Sequence, residues 1–168
     1  MLASFYSCLG QTGENTYAGQ LFLKGIYLEN LDILIPWQIN FSEIEKYGHP
    51  KFSKDPNHNN QTLIKWDSVR IFNGFILNLE TSRPSKFLKR NQLSRITGMR
   101  SWIDSSTADK LISFFKQTTG YNPVFSKKRK GTFWRWAING CFVHIYYLKK
   151  YGYWLAINRI VRTEQNQY

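Results

Sequence analysis

Asp67 and Glu80 stand six residues to either side of an Asn73-Gly74 dipeptide, and the runs flanking it, WDSVRIF and FILNLE, are rich in aromatic and branched residues. Asn-Gly tolerates the positive φ values of a two-residue hairpin turn. Such a turn sets Phe72 opposite Phe75, Arg70 opposite Leu77, Val69 opposite Asn78 and Asp67 opposite Glu80. Two carboxylates facing each other are unfavourable unless a cation or a proton relieves them. Carboxylate oxygens are also what Mg²⁺ takes when it activates water for phosphodiester hydrolysis. Asp67 and Glu80 are therefore candidate metal ligands and catalytic residues of a small Mg²⁺-dependent endonuclease. A simpler reading, in which Arg70 or Lys65 neutralises the pair, is preferred. The nuclease pattern of an Asp followed later by Asp/Glu-x-Lys is not met, because Thr81 and Ser82 follow Glu80.

A second chemistry is carried by charge. Residues 81–162 hold 17 Lys or Arg against two acids, Asp104 and Asp109, whereas residues 1–80 hold six bases and eight acids. The surplus behind the formal net charge of +12 sits in one half of the chain. There the cations are interleaved with Trp, Tyr and Phe, the composition of a surface that both neutralises phosphate and stacks on bases. Arg83, Lys86, Lys89, Arg90, Arg95 and Arg100 fall in a stretch without an acid. Their arginines have the forked geometry that reads base edges, while Lys127, Lys128, Arg129 and Lys130 form a cluster, read as a loop, suited to phosphate contacts. The KKRK run also has the composition of a nuclear localisation signal. Tyr146 and Tyr147 carry hydroxyls of the kind used in transesterification, but a strand Tyr beside Arg and His is more often a stacking residue.

The elements that must position these groups follow from turn chemistry. A two-residue turn at Asn139-Gly140 pairs Ile138 with Cys141, Trp136 with Val143 and Trp134 with Ile145, and this apolar face is expected to be core. The opposite face carries Phe133, Arg135 and Ala137 against Phe142, His144 and Tyr146; Arg135, His144 and Tyr146 complete the candidate nucleic-acid-binding set. Residues 149–152 read as the next turn and 153–161 as a third antiparallel strand, whose alternation leaves its buried side open. Ser106, three before Asp109, caps an amphipathic helix near residues 106–118 with Ala108, Leu111, Ile112 and Phe115 on one stripe, and Gly120 ends it. Residues 20–35 suggest two strands with a turn at Asn30 and Asp32, closed by Pro36. Ser42 and Glu45 have capping-box spacing, but the segment stops after about one turn. Residues 48–62 are turn-formers throughout and read as an exposed loop. Residues 81–102 read as a basic loop or a broken helix, and residues 1–18 as an irregular lead-in.

A chain of 168 residues is about one domain and buries roughly 70% of its extended surface, enough for a core without staples. No apolar run approaches the roughly 20 residues a membrane span requires. The first residues lack a basic n-region and are interrupted by Gly10, a poor signal peptide. Cys8 and Cys141 are the only cysteines, and His49, His58 and His144 are scattered, so no metal-ligand spacing arises. These features point to a reducing cytoplasmic or nucleoid setting and to no certain cofactor. The expectation is a single α+β domain, an antiparallel sheet of β-hairpins with one main helix. Its function is expected to be nucleic-acid binding, DNA modestly before RNA. The alternatives are the Mg²⁺-dependent endonuclease and a structural RNA-binding component of a ribonucleoprotein.

Overall fold

The computed structural model describes residues 20–55, 61–82, 96 and 98–159. Among the described residues, ten strands and one main helix make an α+β fold built from hairpins. A small sheet pairs β1 (Gly25–Leu28) with β2 (Ile33–Pro36). The large sheet contains β3 (Lys51–Asp55), β4 (Gln61–Ile71), β5 (Phe75–Ser82), β6 (Gly98–Ile103), β7 (Val124–Lys128), β8 (Gly131–Ile138), β9 (Cys141–Leu148) and β10 (Gly152–Arg159). Its spatial order is β3-β4-β5-β6-β10-β9-β8-β7, with every neighbouring pair antiparallel. The helix α1 (Ser105–Thr119) follows β6.

The Asn139-Gly140 hairpin forms in the expected register, with Ile138 opposite Cys141, Trp136 opposite Val143 and Trp134 opposite Ile145. Both turn residues have positive φ, 47° and 73°, as a two-residue turn with the right twist demands. The third strand now has a buried side: Leu155 and Ile157 face the core, and Trp154, Ala156 and Asn158 face outward. Pairing on both flanks, with β9 and with β6, decides this where alternation did not.

One layer covers the core face of the large sheet. α1 lays Ala108, Leu111 and Phe115 onto it, with the Phe115 ring centred 5.4 Å from Trp136 and 5.4 Å from Phe72. Its N-cap is Asp104, whose carboxylate accepts the Thr107 N–H at 2.7 Å, so the cap lies two residues before the expected Ser106. Asp104 is extended at ψ 171° and its short carboxylate reaches back to the orphan N–H, which Ser106, already inside the first turn, does not do. Gly120 closes the helix at φ 72°. The β1–β2 hairpin docks beside β4 through the Glu29 N–H to the Arg70 carbonyl at 2.7 Å.

The Asn73-Gly74 hairpin departs from expectation. Ile71 pairs with Phe75, so the turn holds three residues, Phe72, Asn73 and Gly74, all at positive φ. Phe72 accepts this conformation because its ring, 4% exposed, lodges among Phe22, Phe114 and Phe115. A second shift follows at Asp67-Ser68, a β-bulge in which the Asn78 side chain accepts the Ser68 N–H at 2.8 Å. Together the two shifts set Lys65, not Asp67, opposite Glu80. Two further segments differ: residues 48–62, read as a loop, supply β3 and the start of β4, and β6 emerges from the stretch read as a basic loop or broken helix. Strand pairing outweighs the local turn propensity of Ser53, Lys54 and Asp55, because each gains a ladder partner on β4.

Candidate nucleic-acid interface

Register alone assembles the outward face of the large sheet. Trp102 on β6 lies opposite Trp154 on β10, Trp154 opposite Tyr146 on β9, and Tyr146 opposite Phe133 on β8. Four aromatic side chains thus form a row across four adjacent strands. Trp102 is 60% exposed, and the other three are partly buried. The Phe133 and Tyr146 rings stack with centroids 6.1 Å apart and 21° between planes.

Cations flank the row on both sides. Two residues along the strands lies a second row, Arg100, Ala156, His144 and Arg135. On the other side Lys128, opposite Gly131, sits beyond Phe133. Each cation rests on a ring: Arg100 over Trp154 at 5.4 Å, Arg135 over Phe142 at 5.2 Å, and Lys128 over Phe133 at 5.9 Å. Such contacts contribute about 0.5–1 kcal/mol at exposed sites, and they hold flexible arms in place with their donors still available. Arg100 is fixed further by Glu80, which accepts its Nε–H at 2.6 Å and has Lys65 at 3.8 Å on its other oxygen.

The carboxylate pair does not form. Glu80 is taken by Arg100 and Lys65, and Asp67, beside the bulge, pairs with Lys51 at 2.7 Å. Among the described residues no group of three or more His, Cys, Asp or Glu is placed to hold a metal ion. The reading of Asp67 and Glu80 as Mg²⁺ ligands and catalytic residues loses its premise, because that premise was a register the bulge and the three-residue turn displace. Glu80 acts instead as the positioning residue of Arg100.

Of the expected binding residues, Arg100, Arg135, His144 and Tyr146 share this face. Lys127 and Lys128 lie on the edge strand β7 rather than in a loop, so only Lys128 points to the aromatic row; Arg129 and Lys130 form the exposed turn that follows. Arg83, Lys86, Lys89, Arg90 and Arg95 lie outside the described residues. Trp102 and Trp154 were not singled out by sequence. Their signal was present in the alternation of SWI and YWL, but it needed the pairing of β6 with β10 to become a surface.

Burial, reinforced by the charge of Arg135, holds His144 below the ordinary imidazole pKa. The ring is neutral at neutral pH and presents one donor and one acceptor. The unfolded chain takes its proton near pH 6.5 and the folded chain only below that. The associated stability is thus complete above about pH 6.5 and declines as pH falls through the lower folded value. Thermal melts from pH 5 to 8 are expected to show His144→Gln losing less stability on acidification than the parent; equal slopes would exonerate His144. Burial also raises the Tyr146 hydroxyl, an environment that disfavours the phenolate a nucleophile requires.

Among the described residues no helix is long and apolar enough to cross a membrane. No protein-family model matches the chain, and no curated protein and no solved structure matches it.

Proposed function

We propose that the protein binds nucleic acid through the outward face of its large sheet. The observation that carries this reading is the seating of Arg100, Arg135 and Lys128 on the rings of Trp154, Phe142 and Phe133 across one face. A polyanion with exposed bases meets both components, since guanidinium and ammonium groups neutralise phosphate and ring faces stack on bases. Lys127, Arg129 and Lys130 extend the positive field beyond the sheet edge, where contacts to phosphate position a strand without specifying its sequence. DNA is the first ligand to test and RNA the second, because phosphate and base faces are common to both. A ribonucleoprotein component would use this same face.

The test separates binding from folding. Arg135→Ala is expected to melt within about 1 kcal/mol of the parent, and Tyr146→Ala, which gives up a partly buried ring stacked on Phe133, within about 2 kcal/mol. Each is expected to weaken binding to a labelled DNA or RNA oligonucleotide by about 1–3 kcal/mol, the size of a lost stacking contact. If both variants bind like the parent at unchanged stability, the face is not the site.

A further inference from the structure

We infer that the aromatic row is a track for single-stranded nucleic acid, crossing the strands from β6 to β8, with bases stacked on its rings and phosphates held by the flanking cations. This rests on the nucleic-acid reading and narrows it to one form of the polymer. The geometry that points to it is the register Trp102–Trp154–Tyr146–Phe133, continuous over four neighbouring strands.

Adjacent strands lie about 4.8 Å apart, so the row runs about 14 Å from Trp102 to Phe133. Four-stranded sheets with surface aromatics stack about two or three bases over such a width. The cation row lies two residues along the strands, about 7 Å to one side, and Lys128 lies a like distance to the other. A backbone following the track therefore has positive charge on either hand. Between Arg100 and His144 the second row drops to Ala156, the smallest side chain in it. Farther along β10, Asn158 is exposed and offers an amide that can pair with a base edge.

A duplex does not fit this surface as well. Its base faces are buried in the stack, and it offers a protein only phosphates and groove edges. A row of rings finds no exposed base to stack on there, and no helix of the described residues projects from this face to enter a groove; α1 packs on the opposite one. A single strand exposes its π-faces and lies flat across a sheet.

The experiment titrates the full chain, at fixed salt, with labelled oligothymidylate, oligouridylate, a duplex of the same length, and heparin as a base-free polyanion. The single strands are expected to bind at least tenfold tighter than the duplex. Trp102→Ala and Phe133→Ala are each expected to weaken single-strand binding by about fivefold to 160-fold, the equivalent of 1–3 kcal/mol per stacked base, and to leave heparin binding unchanged. Trp102 is the cleaner variant, since its ring is 60% exposed and its loss removes little core. Duplex binding equal to or tighter than single-strand binding, with no effect of Trp102→Ala, would overturn the single-strand track while leaving nucleic-acid binding intact. Heparin binding as tight as the oligonucleotides, with oligonucleotide binding insensitive to both ring variants, would overturn both readings in favour of a general polyanion surface. Absence of binding to any of the four would also overturn both. A difference between oligothymidylate and oligouridylate within the single-strand preference would support the track and show that it senses the 2′-hydroxyl or the thymine methyl.

Discussion

The Trp136→Ala variant is expected to lose about 3–5 kcal/mol of folding stability, the range for truncating a buried aromatic ring. Trp136 is 1% exposed, on the core side of β8, with Phe115 of α1 against it. Removing the indole opens a cavity between helix and sheet, because α1 stays docked through Ala108, Leu111 and the rest of the Phe115 contacts. A domain with total stability of about 5–15 kcal/mol does not absorb such a loss easily, so chemical denaturation of this variant should begin near native conditions. Trp136→Phe provides the control. The Trp136 Nε1–H has no hydrogen-bond partner among the described residues, so Phe keeps most of the packing and removes a buried donor that contributes nothing. Its loss is expected to be much the smaller. If Trp136→Ala melted with the parent while Tyr146→Ala unfolded, the two faces of the hairpin would be inverted.

Binding is expected to collapse with salt. Arg100, Lys128, Arg129, Lys130 and Arg135 lie on or beside the outward face, Lys127 lies on the edge strand next to it, and Lys149 and Lys150 sit in the turn that joins β9 to β10. If about six to eight cations touch a single strand, counterion release gives a slope near −0.7 per contact, and affinity falls roughly three-hundredfold to two-thousandfold between 50 and 200 mM salt. Titrations at four or five salt concentrations measure the slope directly. A flat response would remove the nucleic-acid reading. Replacing Lys128 with Ala should lower the slope by somewhat under one unit, whereas Trp102→Ala, which carries no charge, should shift affinity at every salt concentration and leave the slope alone.

The two Asn-Gly dipeptides show how far local chemistry reaches. At Asn139-Gly140 the turn, the register and the division of faces were all legible, because the flanking strands alternate cleanly and the distant contacts of the turn, the Asn139 amide donating to the Leu21 carbonyl and Arg159 donating to the Asn139 carbonyl, leave its two-residue geometry in place. At Asn73-Gly74 the hairpin was legible and its register was not. Phe72 gains more by inserting its ring among Phe22, Phe114 and Phe115 than a two-residue turn would return, and those partners lie far away in the chain. The bulge at Ser68 has the same character: its N–H is held by Asn78 and its carbonyl by Asn30. Sequence spacing therefore suggested opposed carboxylates that packing does not allow.

By itself the sequence determined that the chain is an antiparallel α+β protein, that one half is strongly basic and aromatic, and which residues of the β8–β9 hairpin face outward. These follow from short-range rules, the φ tolerance of Asn-Gly and the two-residue period of a strand, which need no distant partner. Only the tertiary structure decided that β6 inserts beside β10, which brings Trp102 and Arg100 to the far end of a surface begun by Phe133 and Arg135. It also decided that Glu80 pairs with Arg100 rather than facing Asp67. Both outcomes depend on pairings between residues far apart in the chain, whose closure entropy is repaid by burial over the whole sheet and so cannot be read from any one window of residues.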